Sequence, residues 1–257
     1  MINFSIITVV RNDLNGIKET YKSITKQSNN NYEWIVVDGN STDGTKDFLI
    51  NLNCNFLNFI SEPDKGIYDA MNKGILLSKN NYIIFLNAGD IFFDLNTLYI
   101  VANKLDLNNV DVLFGGANIY FNKNVSFYKK PQKIENVIHY SLPGHHQATY
   151  YSRNILNNIN YDLKYPYSGD YLLIVKMFKY GISTVLLDYP LTNFYVGHHS
   201  FKGIFKILKS STLIQIKYLN TNFFMIIESF SRRLLSTIIV ILIYKFPFLI
   251  KKNKYKI

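Results

Sequence analysis

Three segments within the first 90 residues each carry a carboxylate to the end of an apolar run or the start of a helix. This arrangement constrains the fold more than any other feature of the chain. The segments read EWIVVDG at 33–39, EPDKGIYDAMN at 62–72 and IIFLNAGD at 83–90. In an open parallel sheet the carboxyl ends of the strands line one crevice, so these acids are expected to converge. Carboxylates gathered where a ligand binds need a cation, a hydrogen-bond donor or a reaction that uses them. The pattern predicts a metal-bound nucleotide and transfer chemistry.

The first 110 residues alternate between strand and helix patterns, which favours an α/β fold with a parallel sheet and right-handed crossovers. The predicted strands are 3–10, 33–37, 56–61 and 82–86, and the predicted helices are 16–27, one capped by Thr42 or Asp43, and 66–78. After Asp111 the pattern changes to short aromatic strands around one helix. These strands are predicted at 111–121, 125–129, 145–151 and 183–195, and the helix at about 170–180. The later strands predict a mixed central sheet.

The positive charge of the chain is concentrated toward its C-terminal end. Residues 1–200 hold 17 basic and 17 acidic side chains, whereas 201–257 hold 11 Lys or Arg and one acid, Glu228. We therefore predict a globular domain at 1–200 and a basic, apolar helical tail at 201–257. Within the domain, the strand–helix alternation covers 1–110 and the aromatic strands cover 111–200.

The tail pattern indicates contact with a membrane surface. Its apolar stretch, 234–244, is shorter than the roughly 20 residues that a membrane span needs. Because lysines interleave with Ile, Leu and Phe, we expect an interfacial anchor on anionic lipid and no binding of nucleic acid. The single cysteine, Cys54, excludes an intramolecular disulfide framework and a zinc site built from several cysteines.

Four segments in order along the chain resemble the inverting family 2 glycosyltransferases of the GT-A fold, in the branch that makes bacterial surface polysaccharides. They are SIITVVRN at 5–12, VVDGNSTDGT at 36–45, DKGIYDAMNKG at 64–74 and LNAGD at 86–90. Sparser matches follow at 146–148 and 169–170. The resemblance implies a Rossmann-like nucleotide-diphospho-sugar transferase fold with a mixed sheet, followed here by basic amphipathic helices. It makes 1–110 the expected nucleotide-sugar-binding half and 111–200 the expected acceptor half.

The resemblance assigns the donor nucleotide to residues near the first strands. Asp38 is expected to accept a hydrogen bond from the base, typically uracil N3–H, and Thr8 and Arg11 to form the wall beside base and ribose. An Asx turn at Asp38 and a solvated charge at Arg11 are the alternatives.

The DKG motif extends this predicted nucleotide site to the start of a helix. Asp64 and Lys65 precede the helix, whose first N–H groups are of the kind that bind phosphate. Asp69 and Asn72 lie on its first turns, with a solvated helix face as the alternative reading. Many relatives have arginine where this chain has Met71, which removes one cation from the expected diphosphate site.

The NAGD run at 87–90 resembles the metal motif of the family, with asparagine in place of the first aspartate. Asp90 is the predicted ligand of Mg²⁺ or Mn²⁺, and Asn87 a second ligand through its amide oxygen. The ion would neutralise charge on the departing nucleoside diphosphate. A helix N-cap at Asp90 and a turn role for Asn87 are the alternatives.

Asp170 resembles the catalytic base of the family, although glycine stands where the family usually shows glutamate before it. Inverting transfer requires a base at the acceptor hydroxyl, opposite the leaving group. An N-cap is the alternative for Asp170.

His146, His198 and His199 are second-rank candidates for the metal or acceptor site, with structural roles as the alternative.

Together these features predict a glycosyltransferase that moves a sugar from a nucleotide-diphosphate donor, with UDP favoured by resemblance, to a glycan acceptor with inversion. The family implies an acceptor linked to undecaprenyl diphosphate, in capsule, O-antigen or exopolysaccharide synthesis. We expect the protein in the cytoplasm, peripheral on the inner face of the cell membrane. A non-catalytic nucleotide-sugar-binding or scaffold protein of the same fold is the alternative, kept open by Met71, Asn87 and Gly169.

Overall fold

A computed structural model describes residues 2–122, 125–196 and 203–246, and within them one mixed sheet is flanked by helices. The strands are β1 (Phe4–Val10), β2 (Tyr32–Asp38), β3 (Leu57–Ser61), β4 (Tyr82–Phe85), β5 (Ile91–Phe92), β6 (Val112–Asn122), β7 (Val125–Lys129), β8 (Thr149–Ser152) and β9 (Thr184–Tyr195). The helices are α1 (Leu14–Thr25), α2 (Thr45–Asn51), α3 (Ile67–Leu77), α4 (Thr97–Asn108), α5 (Ile134–Val137), α6 (Arg153–Asn158), α7 (Gly169–Tyr180), α8 (Ile204–Tyr218) and α9 (Phe223–Lys245).

The sheet has the order β3-β2-β1-β4-β8-β6-β9-β5, with β7 paired to β6 outside this path. The first four strands run parallel, as the predicted β-α alternation requires. β8 lies antiparallel between β4 and β6, and β9 runs parallel to β6. The predicted mixed sheet is confirmed, and the antiparallel β8 is the strand that joins its two halves.

The strand register places the carboxyl ends of β1, β2 and β3 at one edge. Val10 of β1 pairs with Asp38 of β2, and Asp38 in turn pairs with Ser61 of β3. β1 is buried along its whole length, as is usual for a strand covered on both faces. The loops that carry the predicted acids therefore leave the sheet side by side.

Two hydrophobic cores cover the two faces of the sheet, because successive residues of a strand point to opposite sides. Ile7 and Val37 face a core that includes α3, α7 and Ile214 of α8. Trp34 faces the other core, against which Val240 of α9 packs. Both C-terminal helices thus pack on the sheet domain, and the predicted boundary near residue 200 stays a prediction.

Two local predictions need correction. The strand predicted at 145–151 begins at Thr149, because residues His146–Ala148 form a 3₁₀ turn. The N-cap of α2 is Gly44, while Asp43 accepts hydrogen bonds from the amides of Thr45 and Leu14 and so fixes the preceding loop against α1. Helix α4 had no sequence prediction.

Arg233 attaches α9 to the rest of the molecule. Its guanidinium donates to the backbone carbonyls of His139 and Tyr140, at 2.8 and 3.2 Å, and to the side-chain oxygens of Gln215 and Tyr171, at 3.2 and 3.0 Å. Burial lowers the pKa of this guanidinium. Among the described residues, no helix combines the length and apolar character that a bilayer crossing needs.

Replacing Arg233 tests whether α9 is an integral part of the fold. Arg233→Met should lower the free energy of unfolding by about 2–3 kcal/mol, since it leaves several buried acceptors without a donor. Arg232→Met is the matched control: Arg232 pairs with the exposed Glu228 and lies over the Tyr140 ring. Its loss should stay within about 1 kcal/mol. Urea unfolding measures both, and equal losses would contradict the assignment.

Candidate active site

Asp38 lies fully buried at the carboxyl end of β2, where its carboxylate is fixed by two serines. Ser61 donates to Oδ2 at 2.6 Å, and Ser41 donates through its amide, 3.1 Å from Oδ2, and through its hydroxyl. The Asx-type turn that was the alternative reading is therefore present. The same bonds hold the carboxylate in one orientation at the sheet edge.

Arg11, Gly39 and Asp64 approach one another beside Asp38. A side chain at Gly39 would place its Cβ 2.5 Å from Oδ2 of Asp64 and 3.3 Å from Cδ of Arg11. A side chain at this position would displace the Asp64 carboxylate, so glycine lets the loops approach closely. Asp64 is itself oriented by the amide of Gly66, which donates to its Oδ1 at 2.8 Å. The loops after β1, β2 and β3 thus bring an arginine and two aspartates to one edge.

Two predicted nucleotide-binding side chains are occupied by protein partners. Thr8 is fully buried, accepts from Trp34 Nε1 at 2.8 Å and donates to the Leu86 carbonyl at 2.7 Å. Asn72 holds the backbone of Tyr161 by two bonds, from Nδ2 to the carbonyl at 2.9 Å and from the amide to Oδ1 at 3.0 Å. These contacts give both side chains a structural role, and their contact with the nucleotide stays a prediction.

The remaining two predicted residues of this group lie at the start of α3. Lys65 is exposed, and its amide donates to Oδ2 of Asp69 at 3.0 Å. Asp69 also lies 3.8 Å from Nζ of Lys73, which itself pairs with Glu62 at 2.7 Å. Asp69 therefore closes the first turn of the helix, whereas the ammonium of Lys65 is available to a ligand.

Asp90 follows β4 in a tight turn and is buried. Its amide donates to the Asn87 carbonyl at 3.0 Å, and Gln147 Nε2 donates to its Oδ2 at 2.8 Å. Burial raises the pKa of the Asp90 carboxyl to about 7, because removal from water disfavours the charged form. Asn87 Oδ1 is buried and has no hydrogen-bond partner within the described part of the chain.

This turn fits a divalent cation that takes few ligands from the protein. The described residues contain no group of three or more His, Cys, Asp or Glu side chains that could hold a metal by themselves. A carboxylate and an unpaired amide oxygen are nevertheless the hard donors that Mg²⁺ and Mn²⁺ use, with phosphate and water completing the shell. Asn87 and Asp90 supply that pair from a single turn.

Asp170 lies on the first turn of α7, where its carboxylate accepts hydrogen bonds from the hydroxyls of two tyrosines. Tyr161 donates to Oδ1 at 3.1 Å and Tyr68 to Oδ2 at 3.4 Å, and the two rings stack 4.9 Å apart. Burial raises the pKa of both phenols, so they stay protonated and act as donors. Gly169 is needed here because a Cβ would lie 2.6 Å from the Tyr68 ring. The Tyr68 ring therefore occupies the space that a glutamate side chain before Asp170 would need.

The segment before β8 connects the metal-type turn to Asp170. His146 Nδ1 lies 3.7 Å from Asp170 Oδ1, and the next residue, Gln147, binds Asp90. Two consecutive residues thus lie beside the two carboxylates, His146 beside Asp170 and Gln147 beside Asp90. The predictions for His198 and His199 fall outside the described residues.

Sequence reasoning missed Gln147, Tyr68 and Tyr161 as parts of the site. Gln147 and Tyr68 lie inside segments already used for the family resemblance, so their position beside predicted acids was an available signal. Tyr161 lies in an irregular segment after α6, and only the fold shows that its phenol reaches Asp170.

The fold is that of a GT-A glycosyltransferase. The chain belongs to glycosyl transferase family 2, whose family model matches residues 5–180. The predicted family, fold and enzyme class are thereby confirmed.

Curated relatives carry related names. A PGL/p-HBAD biosynthesis glycosyltransferase of Mycobacterium tuberculosis and Mycobacterium bovis is 26% identical over 264 residues, which cover 97% of this chain and 93% of the relative. An Escherichia coli protein, UDP-Glc:alpha-D-GlcNAc-diphosphoundecaprenol beta-1,3-glucosyltransferase WfgD, is 28% identical over 139 residues, 51% of this chain and 52% of that protein.

Solved structures share the fold at low sequence identity. TarS 1–349 of S. aureus in complex with UDP-GlcNAc has a TM-score of 0.71 and 21% identity, covering 91% of this chain and 73% of the 1–349 chain. The mannosyltransferase PcManGT of Pyrobaculum calidifontis, in complex with GDP-Man and Mn²⁺, has a TM-score of 0.67 and 15% identity, covering 95% and 81% of the two chains.

The buried Asp90 predicts an unusual pH dependence of stability in metal-free protein. With its pKa raised to about 7, the folded state keeps a proton that the unfolded chain releases above about pH 4. Wild-type protein should therefore lose stability as pH rises from 4 to 8. Asp90→Asn should remove about 2–4 kcal/mol of that loss, measured by denaturant unfolding in EDTA. Asp106→Asn, on the exposed face of α4, is the control and should follow wild type. Parallel curves for Asp90→Asn and wild type would contradict the burial argument.

Proposed function

We propose that this enzyme transfers a sugar from a UDP-sugar to a hydroxyl of a lipid-linked glycan, with inversion at the anomeric carbon. The observation that carries the proposal is that two tyrosine hydroxyls orient Asp170 next to the segment that also binds Asp90. The printed names of relatives support the substrate classes: WfgD is named for a diphosphoundecaprenol acceptor, and TarS is seen with UDP-GlcNAc. Surface-polysaccharide synthesis is the corresponding process.

The donor nucleotide is proposed to bind at the edge formed by the loops after β1, β2 and β3. Asp38 is the acceptor for the base, held ready by its serine partners, and Arg11 and Asp64 lie beside it. Lys65 supplies an exposed cation next to the N-terminus of α3, where phosphate groups are favoured. Thr8, Asp69 and Asn72 support this edge through their protein contacts.

A divalent metal ion is proposed to bind Asn87 and Asp90. When bound, Mg²⁺ or Mn²⁺ would neutralise negative charge on the diphosphate as it leaves. Gln147 fixes the orientation of Asp90, and the unpaired Asn87 Oδ1 supplies a second donor. The Mn²⁺ in the PcManGT complex agrees with this choice of ion.

Asp170 is proposed to take the proton from the acceptor hydroxyl. As that proton moves to the carboxylate, the acceptor oxygen forms a bond to C1 of the sugar and the bond from C1 to the nucleoside diphosphate breaks. A carboxylate has about four acceptor positions, so the two tyrosines orient Asp170 and still leave room for the hydroxyl. His146, 3.7 Å from Oδ1, lines the same side.

Asp170→Asn tests the assignment of the base. The asparagine has the same size and can still accept a hydrogen bond from one tyrosine, but it cannot take the proton of the acceptor hydroxyl. We expect kcat for sugar transfer to fall by about 10²–10⁴-fold, with donor binding within about twofold of wild type. Asp162→Asn is the control, because Asp162 lies in the same part of the chain and pairs with Lys176 instead. Transfer at the wild-type rate by Asp170→Asn would refute the role.

A screen of nucleotide sugars with Mn²⁺ or Mg²⁺ identifies the donor.

The C-terminal helices are proposed to bind an anionic membrane surface. Their exposed side includes Phe205, Phe223 and Phe224, which are 82%, 70% and 79% exposed. Lys206 is exposed one residue after Phe205 and supplies positive charge there, while its ammonium donates to the Tyr167 hydroxyl at 3.0 Å. Aromatic side chains that enter the interface together with lysines facing anionic headgroups are the usual means of such binding. We propose on this basis that the enzyme binds the inner face of the cell membrane, where lipid-linked acceptors are available.

Vesicle flotation tests the membrane proposal. Replacing Phe223 and Phe224 together by Asp should lower partitioning onto vesicles containing phosphatidylglycerol by at least tenfold, because about 1.5–3 kcal/mol of apolar burial is lost for each ring that inserts. Leu107→Asp is the control, since Leu107 is 84% exposed on α4. Unchanged flotation of the double variant, or equal loss for Leu107→Asp, would contradict the proposed surface.

A further inference from the structure

A cavity of about 320 Å³ lies beneath α8 and α9, away from the residues proposed to bind the nucleotide. This volume falls in the range of small-molecule sites, about 300–1,000 Å³. Most of its wall is apolar and comes from the far ends of β6, β7 and β9 and from both helices. The principal apolar residues are Ile119, Phe121, Phe127, Phe194, Ile207 and Val240.

One cation lies in this apolar wall. Lys129, at the end of β7, lines the cavity, and its Nζ donates to the Gly144 carbonyl at 3.2 Å. Burial lowers the pKa of this lysine to about 8. Among the described residues that line the cavity there is no carboxylate to pair with it. A desolvated ammonium without a counter-ion favours an anion, and the surrounding wall favours an apolar group.

The remaining polar wall strengthens the preference for a phosphate. His145 lines the cavity with its ring 4.6 Å from Phe194, and its Nδ1 is buried without a hydrogen-bond partner in the described structure. Ser236 and Thr237 of α9 add hydroxyl groups to the wall. Hydroxyls and a cation together can satisfy the several oxygens of a phosphate.

The cavity adjoins the acceptor side of the catalytic residues. Lys129 binds the carbonyl of Gly144, and two residues later His146 lies 3.7 Å from Asp170. Two residues of extended chain span roughly 7 Å. The same short segment therefore forms a wall of the cavity on one side and contacts the proposed base on the other.

The cavity also adjoins the helix proposed to contact lipid. Val240 of α9 lines it, while the neighbouring Ile239 of the same helix is 47% exposed. One helix thus presents one side to the cavity and another to the surroundings. A molecule held in the cavity would lie between the proposed membrane surface and Asp170.

We propose that this cavity binds the phosphate and first prenyl units of the lipid that carries the acceptor sugar, with Lys129 as the phosphate-binding cation. This inference rests on the proposed function, because only a lipid-linked acceptor needs both a sugar at Asp170 and an apolar chain beside it. The phosphate contacts Lys129 and the hydroxyls of α9, and the branched prenyl chain packs against the aromatic side chains of the wall. The cavity then selects acceptors by their lipid phosphate and orients the sugar toward the base.

Binding of farnesyl phosphate, a short prenyl phosphate, tests this directly by calorimetry below its micelle concentration. Wild type should bind farnesyl phosphate at least tenfold more tightly than farnesol. Lys129→Met should weaken the binding of farnesyl phosphate at least tenfold and leave the binding of farnesol unchanged. Val240→Trp, which fills the cavity, should weaken the binding of both.

The matched controls are adjacent residues with the same chemistry. Lys130→Met removes an exposed lysine paired with Asp188, and Ile239→Trp adds a ring to the outer side of α9. Both should bind farnesyl phosphate like wild type. Equal binding of farnesol and farnesyl phosphate by wild type, or undiminished binding by Lys129→Met and Val240→Trp, would overturn the proposal.

UDP binding by wild type in the same buffer is measured separately. Failure of that binding would count against the proposed function, whereas failure at the cavity with UDP still bound would remove only this inference.

Discussion

A hydrogen bond of 2.8 Å from Gln147 to Asp90 joins the two halves of the molecule where the proposed chemistry takes place. Asp90 follows β4, the last strand of the parallel half, and Gln147 lies in the turn before β8, the antiparallel strand inserted next to it. Gln147 follows His146, which lies 3.7 Å from Asp170. The bond from Gln147 to Asp90 therefore positions the segment beside the proposed base relative to the turn that carries Asp90. Burying a carboxylate there is costly, as its raised pKa records, and a bound cation would offset that cost.

The parallel half and its acids could be predicted from sequence because both depend on local patterns. Apolar runs followed by Asp38 and Asp90 give strand ends, and parallel strands place their ends at one edge. The structure agrees, and Gly39 shows how closely the loops approach there. Thr8 and Asn72 were assigned to nucleotide by resemblance alone. Their partners, Trp34 and the Tyr161 backbone, are distant in sequence, so no local pattern could reveal that these side chains were already engaged.

The acceptor half depends on long-range contacts and was therefore harder to predict. Tyr161 reaches Asp170 only because Asn72 of α3 holds its backbone, and the glycine at 169 is explained only by the Tyr68 ring. The basic tail was read as a separate appendage, yet Arg233 of α9 bonds to Tyr171, the residue after Asp170. The helix proposed to contact membrane is thus connected to the helix that carries the proposed base. Sequence composition predicted the charge of the tail but not this attachment.

The central claim is that Asp170 activates an acceptor hydroxyl for direct displacement at C1, on the side opposite the nucleoside diphosphate. Proton NMR of the product formed from an α-linked UDP-sugar tests this most directly, because the H1–H2 coupling reports the configuration of the new linkage for a gluco-configured sugar. A single displacement predicts a β-linked product from the first turnover. An α-linked product would contradict the account, since retention requires chemistry that one base at Asp170 does not provide.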